Sequence, residues 1–236
     1  MNKRKCAMLG LGLILGIYAF KAQAGSSSDV SADKIGNPDQ GQQWQKILQK
    51  YRQDAAVKQV LLVRCTGGSS AKVQFYRKIT EYNNAWTLVF EEDAYIGKNG
   101  TGKTKEGDGK TPIGEFGITK AFGILPDPGS SLDYIDITRD TYSCDEDCEY
   151  YNQIIHTEET GHHCTGEEMY SYTPEYNYGI VLDYNSGNVY PKGSAIYLHC
   201  KGVKKFTGGC IAVSEEHMKT ILEYADQGMK VCIGKD

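Results

Sequence analysis

The sequence lacks the features of two large classes of protein. After its first twenty residues it has no apolar run that could span a membrane, because a transmembrane helix needs about 20 consecutive apolar residues. It also lacks an excess of basic residues, since the formal net charge is −4. Nucleic acids bind lysine- and arginine-rich surfaces. We therefore expect no nucleic acid partner. The sequence also contains no internal repeat.

The first 24 residues have the pattern of a secretory signal peptide. Three basic residues, Lys3 to Lys5, precede an apolar stretch from Cys6 to Phe20, and Ala22-Gln-Ala24 follows. This order is typical of a cleaved signal peptide. The alternative is an uncleaved anchor, in which case the protein contacts a membrane only through this segment. We predict a secreted or cell-envelope protein whose formal charge is −8 once the four basic residues of this segment are removed.

Composition divides the rest of the chain into a short leading part and one domain. Residues 25–40 are small and polar, which predicts a linker, and apolar residues at helical spacing predict an amphipathic helix over 42–57. Residues 58–236 alternate between strand patterns and glycine-rich turns, which predicts a mainly β domain with few helices. Prolines and tyrosines mark the segment 123–178, which we expect to be an insertion that lines or covers a cleft.

The most informative segment lies near the C-terminus. An apolar run ends in His199, a lysine-containing loop follows, and a threonine and two glycines lead into Cys210 and a second apolar run. This order predicts a strand, a loop, a turn and another strand, which brings the histidine close to the cysteine. A histidine that takes the proton of a thiol creates a nucleophile. We predict that Cys210 is a nucleophile and His199 its general base; the alternative is a core histidine and a buried cysteine.

Gly208 and Gly209 precede the predicted nucleophile and have two expected roles. Glycine permits positive φ angles and a close approach of the backbone to a substrate. The N–H groups of both glycines and of Cys210 are also expected to hold the oxygen of a tetrahedral intermediate. The loop adds positive charge that favours a thiolate and an anionic substrate, from Lys201, Lys204 and Lys205.

These residues resemble the motif of the L,D-transpeptidase catalytic-domain family, also called YkuD-like. In that family a strand-borne histidine and a loop precede Ser/Thr-His-Gly-Cys; His199 matches the first histidine, and Thr207, Gly209 and Cys210 match the second part. The segment Gly107 to Ile118, which contains Thr-Pro-Ile-Gly, is similar to the strand pair that leads into the family's cleft. The resemblance covers residues 58–236.

The resemblance implies a mainly β, sandwich-like catalytic domain and a reaction without metal or cofactor. It implies acyl transfer through a thioester on Cys210, a peptidoglycan stem peptide as substrate, and a substrate-binding role for Thr207 beside the two glycines. Gly208 and Ala212 stand where many members have a histidine and an arginine, which leaves the substrate preference open. Two alternatives remain: an L,D-carboxypeptidase that uses the same residues, and a non-catalytic module that binds the cell wall.

Seven cysteines follow the predicted signal peptide, at positions 65, 144, 148, 164, 200, 210 and 232. Cysteines outside the cytosol tend to pair, so we expect three disulfides and a free thiol at Cys210, with Cys200 bonded to a cysteine of the insertion. The alternative is a zinc site built from the ligand-type side chains of the insertion. Those side chains are Cys144, Cys148, His156, His162, His163 and Cys164. Their spacing matches no familiar ligand set, so we predict no metal.

The segment from Gly97 to Thr104 matches the phosphate-binding pattern GxxxxGK[ST]. That pattern binds phosphates when it opens a helix whose N-terminus faces them. Further glycines and Pro112 follow closely, so no helix is expected to begin here. We predict a turn at the rim of the cleft and no nucleotide partner.

Overall fold

The structure is a computed structural model that describes residues 38–79 and 83–236. The predicted signal peptide over residues 1–24 lies outside the described residues, as does the predicted linker up to residue 37. Across the described part of the chain, the helices are too short or too polar to cross a membrane.

One curled, ten-stranded sheet forms the centre of the domain, which confirms the predicted mainly β fold. Its strands are β1 Gln59–Gly67, β2 Ser70–Ile79, β3 Ala85–Tyr95, β4 Gly114–Phe116, β5 Ile118–Gly123, β6 Tyr134–Asp136, β10 Gly179–Leu182, β11 Tyr197–Cys200, β12 Ile211–Val213 and β13 Lys230–Lys235. The spatial order is β4-β13-β1-β2-β3-β12-β11-β10-β5-β6. The remaining strands are β7 Thr141–Ser143, β8 Ile154–His156 and β9 Glu167–Glu168; the α-helices are α1 Pro38–Arg52, α2 Thr157–Thr160 and α3 Glu215–Tyr224.

Strand β1 lies inside the domain and is covered on both faces. Leu61 and Val63 belong to the main core, whereas Val60 and Leu62 belong to a second cluster that also contains Trp44 of α1. A strand that is buried on both faces needs apolar residues at consecutive positions. The apolar sequence of β1 therefore follows from its place between α1 and the main core.

Helix α1 covers the second cluster with one apolar face. Trp44, Leu48 and Tyr51 are buried, and their spacing of four and three residues places them on one side of a helix. The helix was expected over 42–57 but ends at Arg52. Two turns follow it, in which the N–H groups of Asp54 and Val57 donate to backbone carbonyls, and they redirect the chain into β1.

Strands β11 and β12 are parallel neighbours, and this arrangement sets the position of the predicted site. His199 pairs with Ala212, and Leu198 pairs with Ile211. The chain returns from the end of β11 to the start of β12 through residues 201–210, in which Val203 and Phe206 are exposed. A parallel pair requires such a crossover, and here the crossover delivers the turn that carries Cys210.

The segment 123–178 contains a separate three-stranded sheet with the order β8-β7-β9. Its strands are two or three residues long. Short strands of this kind bury too little apolar surface to be stable alone. The small sheet contacts the main domain through a hydrogen bond of 2.7 Å between Ser143 Oγ and Tyr197 Oη.

The three disulfides expected from the sequence are not found, because all seven described cysteines are free. Cys200 lies on β11 with its side chain in the main core, where its thiol donates to the carbonyl oxygen of Tyr178. Cys144 and Cys164 belong to a cluster of the small sheet, and Cys232 belongs to the cluster under α1. Burial in separate clusters therefore keeps Cys200 from pairing with the insertion as we expected.

Candidate active site

A cavity of about 380 Å³ lies where β11 ends and β12 begins, and it collects most of the predicted site residues. His199, Cys210, Thr207 and Gly208 line it, whereas Gly209 is buried and does not line it. Strand geometry explains the grouping: side chains alternate between faces, and paired residues on neighbouring strands share a face. Because His199 pairs with Ala212, the residue two positions earlier, Cys210, faces the same side as His199.

The thiol of Cys210 is buried and makes a hydrogen bond to the backbone. The residue is 8% exposed, and its Sγ donates to the carbonyl oxygen of Ala195 at 3.1 Å. Burial raises the pKa of Cys210 to about 12, and the carboxylate of Glu167 acts in the same direction. The N–H of Tyr197 donates to the sulfur at 3.4 Å and opposes that shift. The surroundings of Cys210 therefore favour the thiol over the thiolate.

His199 is buried in the wall of the same cavity and oriented by the backbone. Its Nδ1 lies 2.8 Å from the carbonyl oxygen of Cys200, and its ring packs edge-on against Tyr176 with the ring centres 5.5 Å apart. A carbonyl oxygen only accepts, so Nδ1 carries the proton and Nε2 keeps its lone pair. Burial lowers the pKa of His199, so the ring is neutral at neutral pH. A backbone carbonyl thus takes the orienting position that an acid holds in a triad.

The turn before Cys210 is held by the side chain of Thr207. Its Oγ1 donates to the carbonyl oxygen of Cys210 at 2.7 Å and accepts the N–H of Gly209 at 3.1 Å. The N–H of Gly209 therefore already donates a hydrogen bond to Thr207 and does not point at a substrate oxygen. This differs from the expectation that it helps to hold the oxyanion. The N–H groups of Gly208 and Cys210 remain as donors at this turn.

Thr111 is a site residue whose role the sequence analysis missed. It is fully buried, its Oγ1 donates to the carbonyl oxygen of Gly209 at 2.8 Å, and the same oxygen accepts the N–H of Gly97 at 2.8 Å. The hydroxyl thus connects the Thr-Pro loop to the nucleophile turn. The Thr-Pro-Ile-Gly segment indicates that this loop belongs to the site. The spacing of residues along the sequence does not reveal a contact between residues that are 98 positions apart.

We expect Thr111→Val to destabilise the protein and reduce its activity. Valine keeps the shape but leaves the N–H of Gly97 and the carbonyl of Gly209 unpaired in the interior, which costs about 1–3 kcal/mol. Chemical denaturation measures the loss. Thr111→Ser keeps the hydroxyl and is the matched control; equal destabilisation by both substitutions would show that the methyl group matters and the hydrogen bonds do not.

The insertion supplies an acidic wall of the cavity. Asp145, Glu167 and Glu175 line it from the insertion, and Glu106 lines it from the main domain. Burial raises the pKa of Glu167, and the charges of Asp145 and Glu106 raise it further; burial and the charge of Glu106 also raise the pKa of Asp145. These carboxylates repel one another, so the wall favours a cationic group.

The basic side chains of the cavity come from two loops. Lys204 lines it, as do Lys98 and Lys103 of the glycine-rich segment. Lys201 instead binds Glu92, with 2.8 Å between Nζ and Oε2. Residues 97–113 form no helix, so the segment lacks the helix N-terminus that a phosphate-binding loop requires. Lys103 is buried and lies 3.3 Å from Asp108.

Ala212 lines the cavity and is 3% exposed. The small side chains of Ala212 and Gly208 leave room beside the thiol. Gly208 is exposed, and a Cβ atom built on it would meet no atom within 4 Å. The space that a second histidine occupies in many members of the resembled family is therefore open here.

Two crystal structures of the helical cell shape determining protein Pgp2 from Campylobacter jejuni match the chain, one of them with a point mutation. Their identities to it are 15% and 18%, and both TM-scores are 0.40. The matches cover 81% and 80% of this chain but 55% and 53% of the two Pgp2 chains, so the chain spans about half their length. A comparison with curated proteins gives no match.

The family model of the L,D-transpeptidase catalytic domain, YkuD, matches residues 74–233. The matched region is more than half of the sequence, and it contains the cavity, the turn and both strands of the site. The chain therefore belongs to the L,D-transpeptidase catalytic-domain family.

Proposed function

We propose that the protein is a cysteine-dependent L,D-transpeptidase that cross-links or remodels peptidoglycan through its stem peptides. The observation that carries the proposal is the shared cavity: His199 lines it from β11, and Cys210 lines it from the position directly before the parallel strand β12. Family membership supports the substrate class. Secretion to the cell envelope is part of the proposal, because the substrate is found there.

The first half-reaction forms a thioester. Cys210 Sγ leaves its hydrogen bond to Ala195 and attacks the carbonyl carbon that follows an L-centre of the stem peptide, while Nε2 of His199 takes the thiol proton. The N–H groups of Gly208 and Cys210 hold the oxyanion. The tetrahedral intermediate collapses as His199 returns the proton to the departing amine. The products are a terminal D-residue and an acyl group bonded to Cys210.

The second half-reaction transfers the acyl group to an amine of a neighbouring stem peptide. The amine attacks the thioester, His199 takes a proton from it, and the same proton returns to the sulfur as the C–S bond breaks. The wall formed by Glu106, Asp145 and Glu167 supports an amine acceptor, since its carboxylates attract the ammonium form. One of these carboxylates takes the extra proton of the ammonium before the neutral amine attacks. In a carboxypeptidase, water replaces the amine and the same side chains suffice.

Alkylation tests the resting state that this mechanism assumes. Because the pKa of Cys210 is raised to about 12 and only the thiolate reacts, iodoacetamide should label Cys210 at pH 7 at least about tenfold more slowly than N-acetylcysteine. The rate should still rise between pH 9 and pH 10. Peptide mapping separates Cys210 from the other thiols, and a rate that levels off below pH 8 would instead reveal a thiolate–imidazolium pair.

Incubation with a disaccharide-tetrapeptide, followed by mass spectrometry of the products, tests the function. A cross-linked dimer is the expected product, together with free D-residue. Tripeptide without dimer would assign the carboxypeptidase reaction. Binding to peptidoglycan without either product, by protein whose circular dichroism is that of folded protein, would contradict an enzyme and favour the wall-binding module.

A further inference from the structure

The small sheet of the insertion gathers metal-ligating side chains at a place separate from the nucleophile. One ligand atom each from Cys144, Glu146, Cys148 and His162 lies within 4.8 Å of all the others. Cys144 Sγ and Cys148 Sγ are 3.6 Å apart, and Cys148 Sγ is 3.6 Å from His162 Nε2. Sulfurs at this distance are too far apart for a disulfide, whose S–S bond is about 2 Å.

These spacings match the edges of a zinc tetrahedron. Zinc binds thiolate sulfur at about 2.3 Å and imidazole nitrogen at about 2.0–2.1 Å, so a tetrahedral site separates two sulfurs by about 3.8 Å and a sulfur from a nitrogen by about 3.6 Å. The observed 3.6 Å for both pairs lies within the variation of such sites, about 0.2 Å. The side chains are therefore already arranged around a point that a zinc ion fits.

Cys164 supplies a third thiol at the same place. It is buried in one cluster with Cys144, against which Cys148 also packs. Two backbone N–H groups point at the sulfurs: Tyr150 donates to Cys148 Sγ at 3.4 Å, and Gly166 donates to Cys164 Sγ at 3.3 Å. In both cases the donor lies two residues after the cysteine. Amide donors at sulfur stabilise thiolates, the form that binds zinc.

We propose that Cys144, Cys148, His162 and Cys164 bind a structural zinc ion. Three cysteines and one histidine form a known closed set for structural zinc, and the three residues between Cys144 and Cys148 fall within the usual spacing of the first pair. Glu146 is the fourth member of the group whose ligand atoms lie within 4.8 Å of one another, whereas Cys164 Sγ is not within that distance of all of them, so its side chain has to turn toward the ion. We assign Cys164 as the ligand because Glu146 Oε1 already accepts the N–H of Thr165 and a third thiolate gives a known structural set. The sequence favours disulfides here, but the fold brings His162 back to Cys148 and leaves Cys144 and Cys148 too far apart for an S–S bond.

The ion would fix the wall of the active-site cavity. Ser143 and Asp145, on either side of Cys144, both line that cavity. The strands of the small sheet are too short to be stable alone, and metal binding contributes directly to the folding of such units. The proposal does not depend on the reaction catalysed at Cys210, because metal content is measured without substrate.

Metal content of matched variants tests the site. The purified protein, given one equivalent of zinc and passed through a desalting column, should retain about one zinc per chain by mass spectrometry of the metal. Cys148→Ser and His162→Asn should lower the zinc content at least about tenfold. His163→Asn, an exposed neighbour, and Cys65→Ala, a cysteine of the main core, should leave it unchanged.

Two further variants assign the fourth ligand. Cys164→Ser should lose zinc, whereas Glu146→Gln should keep it; the reverse result would overturn the assignment of Cys164. If the ligand variants fail to fold, cobalt added to the natural protein replaces them as the test. Cobalt should give the intense visible bands of a tetrahedral site and near-ultraviolet bands from thiolate ligands. Less than about 0.1 zinc per chain without these cobalt bands, or a Cys144–Cys148 disulfide in non-reduced protein, would refute the proposal.

Discussion

Replacement of Cys210 by alanine is expected to abolish turnover of the tetrapeptide. The sulfur of Cys210 is the atom that bonds to the acyl group. Loss of a catalytic nucleophile lowers the turnover rate on the order of 10⁴-fold or more. Alanine removes only the sulfur from a site that is 8% exposed, so the variant should fold. Rates are measured from dimer and tripeptide formation, with Cys65→Ala as a control because Cys65 lies outside the cavity.

The histidine should have a smaller but still large effect. His199→Gln removes the general base and acid, and such groups contribute about 10²–10⁴-fold. His217→Gln is the matched control, because His217 binds Glu92 at 2.8 Å and does not line the cavity. Comparable losses in both variants would indicate that the effect of His199 is structural.

Gly209→Ala is expected to lower turnover about 100-fold, whereas Gly208→Ala is tolerated. A Cβ on Gly209 would lie 2.8 Å from the carbonyl oxygen of Lys110 and 3.2 Å from Ile196 Cδ1, and its φ of +155° is one that side chains rarely adopt. Overpacking of this kind costs about 1–3 kcal/mol. A Cβ on Gly208 meets nothing within 4 Å.

The lower turnover has a geometric cause, because a shift at Gly209 moves the next residue, Cys210. A displacement of about 1 Å at a reacting group can cost about 100-fold in rate. Steady-state kinetics and denaturation of both variants measure the two effects. If Gly209→Ala is as active and as stable as Gly208→Ala, the turn is more adaptable than its packing indicates.

The sequence predicted the parts of the fold that depend on local pattern. The strand patterns of the domain and the amphipathic spacing of α1 follow from residues close together in the chain. The strand–histidine–loop–cysteine order likewise describes β11, the crossover and β12.

The parts that the sequence could not predict depend on contacts between distant residues. The bond from Thr111 to Gly209 joins two loops, and the bond from Gly209 to Thr207 removes an amide from the expected oxyanion site. The number of cysteines predicted disulfides, because the cell envelope, where we expect the protein, favours them. Whether two cysteines form a disulfide depends on whether their side chains are buried in the same cluster. The amino-acid composition does not show which cluster each side chain belongs to.

Mass spectrometry of the acyl-enzyme tests the central claim most directly. The protein is mixed with disaccharide-tetrapeptide, quenched in acid within the first turnovers and digested without a reducing agent. A covalent adduct on the peptide that contains Cys210, with the mass of the substrate less its terminal D-residue, is the predicted result, and Cys210→Ala should show none. Turnover by Cys210→Ala, or an adduct on another residue, would contradict the account.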